Sequence, residues 1–263
     1  MRLAWLTDVH LNFVKDESRQ AFYLSISEVR PDAVLIGGDI SEAPDVVERL
    51  HEIERAVRKP IYFVLGNHDF YRSSMEKVQA RIRKLATPPN LIWLTEGGVQ
   101  LLNESTALIG DDSWADGRLG NYLGSQIFLN DYLLIEDFAG LDKAARLRLL
   151  NQLGDAAAMR VRTKLNEACA QRGRIVLLTH VPPFRESAWH EGRASDEDWL
   201  PHFASKAVGE VIVEVMDRHP NCNLEVLCGH THGAGIAQIR PNVIVKTGGA
   251  VYRHPVVQGV LEV

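Results

Sequence analysis

Five apolar runs of five or six residues recur along this chain, and each is closed by Asp, Asn or His. LAWLT (3–7) runs into Asp8-Val9-His10, AVLIGG (33–38) into Asp39, and IYFVL (61–65) into Gly66-Asn67-His68-Asp69. IVLLT (175–179) runs into His180, and LEVLC (224–228) into Gly229-His230-Thr231-His232. Runs this short and this apolar fit strands buried on both faces, the habit of parallel sheets. Between the first three lie amphipathic stretches. Phe22, Ile26 and Val29 recur at helical spacing within 16–30. Val46, Val47, Leu50, Ile53 and Val57 share one face of 44–58, which starts after Pro44. A β-α-β-α-β order repeating about every thirty residues is that of βαβ units. Ligands of open α/β sheets bind beyond the carboxyl ends of the strands. The residues that close the runs are therefore expected on one rim, although they span most of the sequence.

The remaining pattern gives a helix over 73–86 and strands over 90–94 and 107–110. Residues 111–122 are polar, Gly-rich and aromatic, while 126–136 and 141–171 read as mostly helical. The segment 112–172 is read as a helical, cap-like insertion in a single domain spanning 1–263. Residues 181–203 have no clear period, and an aperiodic stretch of that length in a compact protein is expected to be a lid or functional loop. A helix follows near 204–218. Strands over 224–228, 235–239, 243–247 and 256–263, with short Gly and Pro-Asn punctuation, read as an antiparallel meander.

Composition narrows the partners. With 46% apolar and 24% charged residues the chain is globular. A net charge of -5 and a pI near 6.1 argue against long nucleic acid, whose binders show a basic face. The three cysteines, Cys169, Cys222 and Cys228, follow no zinc or disulfide spacing and read as small buried hydrophobes. Asp8 interrupts the first apolar stretch, which is too short for a signal peptide, and no run approaches the roughly 18 residues of a membrane span. The expected location is the cytoplasm. Oligomeric state is not legible, although the apolar run 256–263 could pair as an edge strand.

Of ten histidines, five (His10, His68, His180, His230 and His232) fall at strand ends beside two carboxylates and an amide. That coincidence points to a metal site. The motifs DVH (8–10), GGD (37–39), GNHD (66–69), TH (179–180) and GHTH (229–232) resemble, in order, those of the calcineurin-like metallophosphoesterase family. The resemblance covers residues 8 to 232. It implies a four-layer αββα sandwich with two mixed β-sheets, and a centre of two divalent metal ions. It assigns Asp8, His10, Asp39 and His232 to one ion, and Asp39, Asn67, His180 and His230 to the other, with Asp39 shared. Two close cations need a common anionic ligand. Manganese, iron, zinc, nickel and cobalt all suit such nitrogen and oxygen donors. The positive charge left after Asp8, Asp39 and a bridging hydroxide favours phosphate, and that hydroxide would attack phosphorus in line, inverting it.

His68 is left free by this set and is implied to protonate the leaving oxygen or steady the transition state. Asp69 is expected either to orient the His68 ring or to cap the loop. GDISE (38–42) lacks the DRG of protein serine/threonine phosphatases, so a small-molecule phosphodiester is the expected substrate. A phosphomonoester, a nucleic acid or a non-catalytic scaffold role are the alternatives. The pocket is expected between the metals and the 111–122 and 181–203 loops. Arg118, Tyr122, Arg185, Trp189, His190 and Arg193 are the candidate substrate contacts, with Trp114 and Trp199 as packing anchors.

Overall fold

The computed structural model describes residues 1–85 and 90–263. Its first half alternates β1 (Arg2–Leu6), α1 (Asp16–Glu28), β2 (Ala33–Gly37), α2 (Val46–Val57), β3 (Ile61–Val64), α3 (Met75–Arg83) and β4 (Leu91–Trp93). The expected end of the third helix, residue 86, lies outside the described residues. β5 (Gln100–Leu101) and β6 (Thr106–Asp111) follow, then α4 (Asp131–Leu134), α5 (Lys143–Gln171) and β7 (Arg174–Thr179). A small hairpin, β8 (Trp189–His190) and β9 (Arg193–Ala194), precedes α6 (Leu200–Phe203) and α7 (Lys206–Arg218). The chain ends with β10 (Asn223–Cys228), β11 (Gly235–Arg240), β12 (Val243–Thr247) and β13 (Gly259–Glu262).

Two mixed sheets result, in the orders β13-β1-β2-β3-β4 and β11-β12-β10-β7-β6-β5. β1 to β4 run parallel, as do β6, β7, β10 and β12. Alternation of side chains across each strand builds the layers. Ala4 and Leu6, with Val34 and Ile36, pack under α1 and α2. Their neighbours Leu3, Trp5 and Leu35 meet Val176, Leu178 and Leu227 between the sheets. Ile175 and Leu177 face α5 and α7, where Val161 and Leu165 pack with Val211 and Val215. This is the four-layer αββα arrangement. Strands buried on both sides explain why the sequence runs are continuously apolar.

Two expectations need correction. The last strands are not a meander. β10 pairs in parallel with β7 and β12, and only β11 runs antiparallel there. β13 joins the other sheet, antiparallel to β1. Gly and Pro punctuation marks turns but not which strand a segment will join. The helix expected over 126–136 is a single turn, α4. Within 112–172, α5 lies along the outer face of the second sheet, while 112–142 passes near the rim. The Asp112 carboxylate joins the sheets there, accepting hydrogen bonds from Leu65 N (2.7 Å), Trp93 Nε1 (2.9 Å) and Thr95 Oγ1 (2.6 Å).

Candidate metal centre

The parallel strands of both sheets end at one rim. β1, β2 and β3 deliver Asp8, His10, Asp39 and Asn67, while β7 and β10 deliver His180, His230 and His232. Their backbone is strained. Of eleven non-glycine residues with positive φ among those described, five are Asp8, His10, Asp39, His230 and His232. Such conformations cost about 1–3 kcal/mol each and persist where the surroundings dictate them. Gly66 is required for space and not for its φ. A Cβ there would fall on the Asp39 carboxylate and lie 2.7 Å from His180 Cε1.

Hydrogen-bond bookkeeping exposes bare lone pairs. His180 Nδ1 lies 2.8 Å from Gly37 O, so Nδ1 carries the hydrogen and Nε2 is bare. His230 Nε2 lies 2.9 Å from His202 O, which leaves Nδ1 bare. Both bare nitrogens sit 2.9 Å from the same atom, Asn67 Oδ1. The amide cannot be turned round to donate, because Asn67 Nδ2 donates to Asp131 Oδ1 at 2.8 Å. Three acceptors converging without a donor fit a cation.

A second group lies beside it. Ligand-type atoms of Asp8, His10, Asp39 and His232 all fall within 4.8 Å of one another. His10 Nε2 is 3.1 Å from His232 Nε2 and 3.7 Å from Asp39 Oδ2. His232 Nε2 is 3.6 Å from Asp8 Oδ1. Asp39 presents its other oxygen, Oδ1, to His180 Nε2 at 3.4 Å. It thus offers one oxygen to each group.

The electrostatics are those of a site built for added positive charge. Burial, then the Asp8 and Asp69 carboxylates, hold Asp39 well above the ordinary carboxylate range. Burial also pushes the imidazoles down: His10 and His180 below their ordinary range, His230 and His202 to about 4, and His68 to about 3. Neutral imidazole is the form that binds metal. The metal-free protein should therefore be acid-sensitive. Between about pH 4.5 and 6.5 these five rings take up protons on unfolding, which lowers stability as pH falls. Burial raises Asp39, Asp69 and Asp112, which push the other way but are three against five. A lower urea midpoint at pH 4.5 than at 6.5 is expected; a higher one would contradict the assignment of neutral rings.

Asp69 does not orient His68. Its Oδ1 accepts from Ile40 N and Ser41 N (both 2.9 Å), and its Oδ2 from Gly66 N (2.8 Å). It is the loop cap, holding the turns after β2 and β3 together, while His68 Nδ1 has no hydrogen-bond partner among the described residues. The His68 ring instead stacks on Tyr71 at 4.2 Å, with Nε2 3.9 Å from Asp39 Oδ2. Asp69→Ala should leave three buried N–H groups unpaired and cost about 3 kcal/mol or more, read as a lower denaturation midpoint. Asp69→Asn should cost less, because an amide oxygen remains.

A cavity of about 200 Å³ opens over the donors, lined by His68, Asp131, His190, Trp199, Phe203 and Tyr252 among others. Of the expected substrate contacts, His190 lines it and the others do not. Arg118 is tied to Asp155 (2.7 Å) and Asp116 (3.3 Å), and Arg185 to Glu197 (2.6 Å). Tyr122 is buried against α5, its hydroxyl donating to Lys143 O at 3.3 Å. Trp189 packs on Gly235, and Arg193 is exposed at the start of β9. Trp114 is a packing anchor in the core, and Trp199 both packs on Phe203 and lines the cavity. Carboxylates claimed Arg118 and Arg185, which loop composition does not reveal. Asp131 and Tyr252 were missed because no motif flanks them, and Tyr71, two residues past GNHD, because the motif does not include it.

A two-sheet sandwich with this donor set at its rim defines a metal-dependent phosphoesterase. The chain belongs to the calcineurin-like phosphoesterase family, whose model matches residues 1–234. It is similar in fold to phosphopantetheinyl hydrolase (PptH) from Mycobacterium tuberculosis, with a TM-score of 0.65 and 13% identity over 95% of this chain and 89% of that one. A dimetal phosphatase from Danio rerio gives a TM-score of 0.61 and 11% identity over 96% and 88%. The protein TT1561 of Thermus thermophilus gives 0.54 and 14% over 94% and 88%. At these identities the likeness is one of fold. A Danio rerio transmembrane protein with metallophosphoesterase domain is 33% identical over 82 residues, 29% of this chain and 18% of that protein's length. No helix among the described residues here is long and apolar enough to cross a membrane.

Proposed function

We propose that this protein hydrolyses a small-molecule phosphodiester with two divalent metal ions at the rim. The observation that carries the reading is the pair of bare imidazole nitrogens, His180 Nε2 and His230 Nδ1, facing Asn67 Oδ1 beside an Asp39 that divides its oxygens between two donor groups. Asp8, His10, Asp39 and His232 would hold one ion, and Asp39, Asn67, His180 and His230 the other. Bound there, divalent ions supply Lewis acidity toward a phosphoryl oxygen and acidify water to near neutral pH.

The chain's own groups do the rest. Asp131 fixes the Asn67 amide, helped by Tyr71, whose hydroxyl donates to the same carboxylate oxygen at 2.6 Å. Asp69 fixes the two ligand turns. His68, over the donors and steadied by Tyr71, hydrogen-bonds the phosphoryl or leaving oxygen as charge develops on it. The cavity favours a diester over a monoester. No Lys or Arg is among the described residues lining it, so beyond the ions a second phosphate charge would find no side-chain counter-ion, only Asp131. The small cavity and the net charge of -5 support a small molecule over long nucleic acid.

Hydrolysis of bis(p-nitrophenyl) phosphate, compared with p-nitrophenyl phosphate in the presence of manganese, tests this. Faster, chelator-sensitive cleavage of the diester is expected; preference for the monoester would make the protein a phosphatase. A chiral thiophosphate diester should react with inversion.

A further inference from the structure

The cavity wall also describes the part of the substrate that is not phosphate. Two aromatic groups line it. Trp199 and Phe203 stack with ring centroids 4.8 Å apart, and His190 packs on both at 5.0 and 5.1 Å. Tyr252, 44% exposed, lies 4.6 Å from the His10 ring and 5.0 Å from that of His232. The same wall holds the buried Asp131. Its Oδ1 is used by Asn67 and Tyr71, while Oδ2 takes no hydrogen bond and no ion pair from the described residues. The ions held through Asn67 would offset part of this charge, and the unused Oδ2 is left open to a further cation.

We infer that the substrate's organic group is a cation, an amine or quaternary ammonium, held against these aromatic faces and Asp131. This rests on the phosphodiesterase reading above. Ring faces attract cations through their quadrupole, and more so where water is excluded. An anionic organic group would meet Asp131 unpaired. A neutral one would strip water from Oδ2 and give nothing back.

The test uses two isosteric diesters with one leaving group: p-nitrophenyl choline phosphate and 3,3-dimethylbutyl p-nitrophenyl phosphate, which differ in the charge of a single atom. With the metal-loaded protein, kcat/KM should favour the choline ester by about tenfold. Asp131→Asn keeps an acceptor for Asn67 and Tyr71, and should bring that ratio to about one whatever it does to the absolute rate. Binding gives a second readout. Choline should quench Trp199 fluorescence, with Trp199→Phe as the baseline, at concentrations where 3,3-dimethylbutanol does not. Equal turnover of the two esters, or equal quenching, overturns the inference and leaves the phosphodiesterase reading standing. Turnover of neither ester sinks that reading, and the quenching comparison then decides the cation site alone.

Discussion

Asp39→Asn is expected to cut kcat by about 10³-fold or more and to lower bound metal from two ions per chain to one or none. The carboxylate offers Oδ2 toward His10 and Oδ1 toward His180, and so serves both groups. Losing one anionic oxygen weakens both sites and restores the repulsion between the ions. Lewis-acid stabilisation is worth several kcal/mol, and each 1.36 kcal/mol is about tenfold in rate. The same substitution should stabilise the metal-free protein. Burial and the nearby Asp8 and Asp69 disfavour the ionised Asp39 when no metal is present. An amide still accepts the His68 N–H bond, now 2.9 Å from Oδ1. At pH 7 the metal-free variant should therefore show a higher urea midpoint than the metal-free parent. Loss of activity together with loss of metal-free stability would mean that Asp39 is a structural carboxylate.

His68→Ala is expected to lower kcat by about 10²- to 10⁴-fold while leaving two metal ions bound. The ring lies over the donors without being needed by them. Its closest carboxylate contact is 3.9 Å, to Asp39 Oδ2, and its position is set by stacking on Tyr71. A binding role would raise KM at unchanged kcat, whereas a role in the transition state lowers kcat. An ester with a better leaving group should lose less, if the ring acts on the leaving oxygen. Metal content falling with the rate would place His68 among the ligands instead.

The sequence carried the donor set well and the cavity poorly, for a physical reason. Strands buried on both faces must be apolar throughout, so Asp8, Asp39, Asn67, His180 and His230 stand out at their ends. The rim then follows from parallel pairing. Strain at those positions was not legible, since Asp and His do not advertise positive φ as glycine does. Gly66 stands in a legible motif, but the closeness of Asp39 and His180 behind it, which demands a glycine, is not legible. The cavity wall comes from segments far apart, around residues 131, 190–203 and 252, each without a motif. Arg118 and Arg185 looked like phosphate contacts because their partners Asp155 and Glu197 are invisible to local spacing. Asp69 could orient or cap on sequence grounds, and three backbone N–H groups in reach decided it.

The most direct test of the metal centre is a calorimetric titration of the metal-free protein with manganese, run beside Asn67→Ala. Two ions per chain for the parent, and one fewer for the variant, is the predicted result. A single ion in both proteins would contradict the account, because the His180, His230 and Asn67 acceptors would then face one another for some other reason.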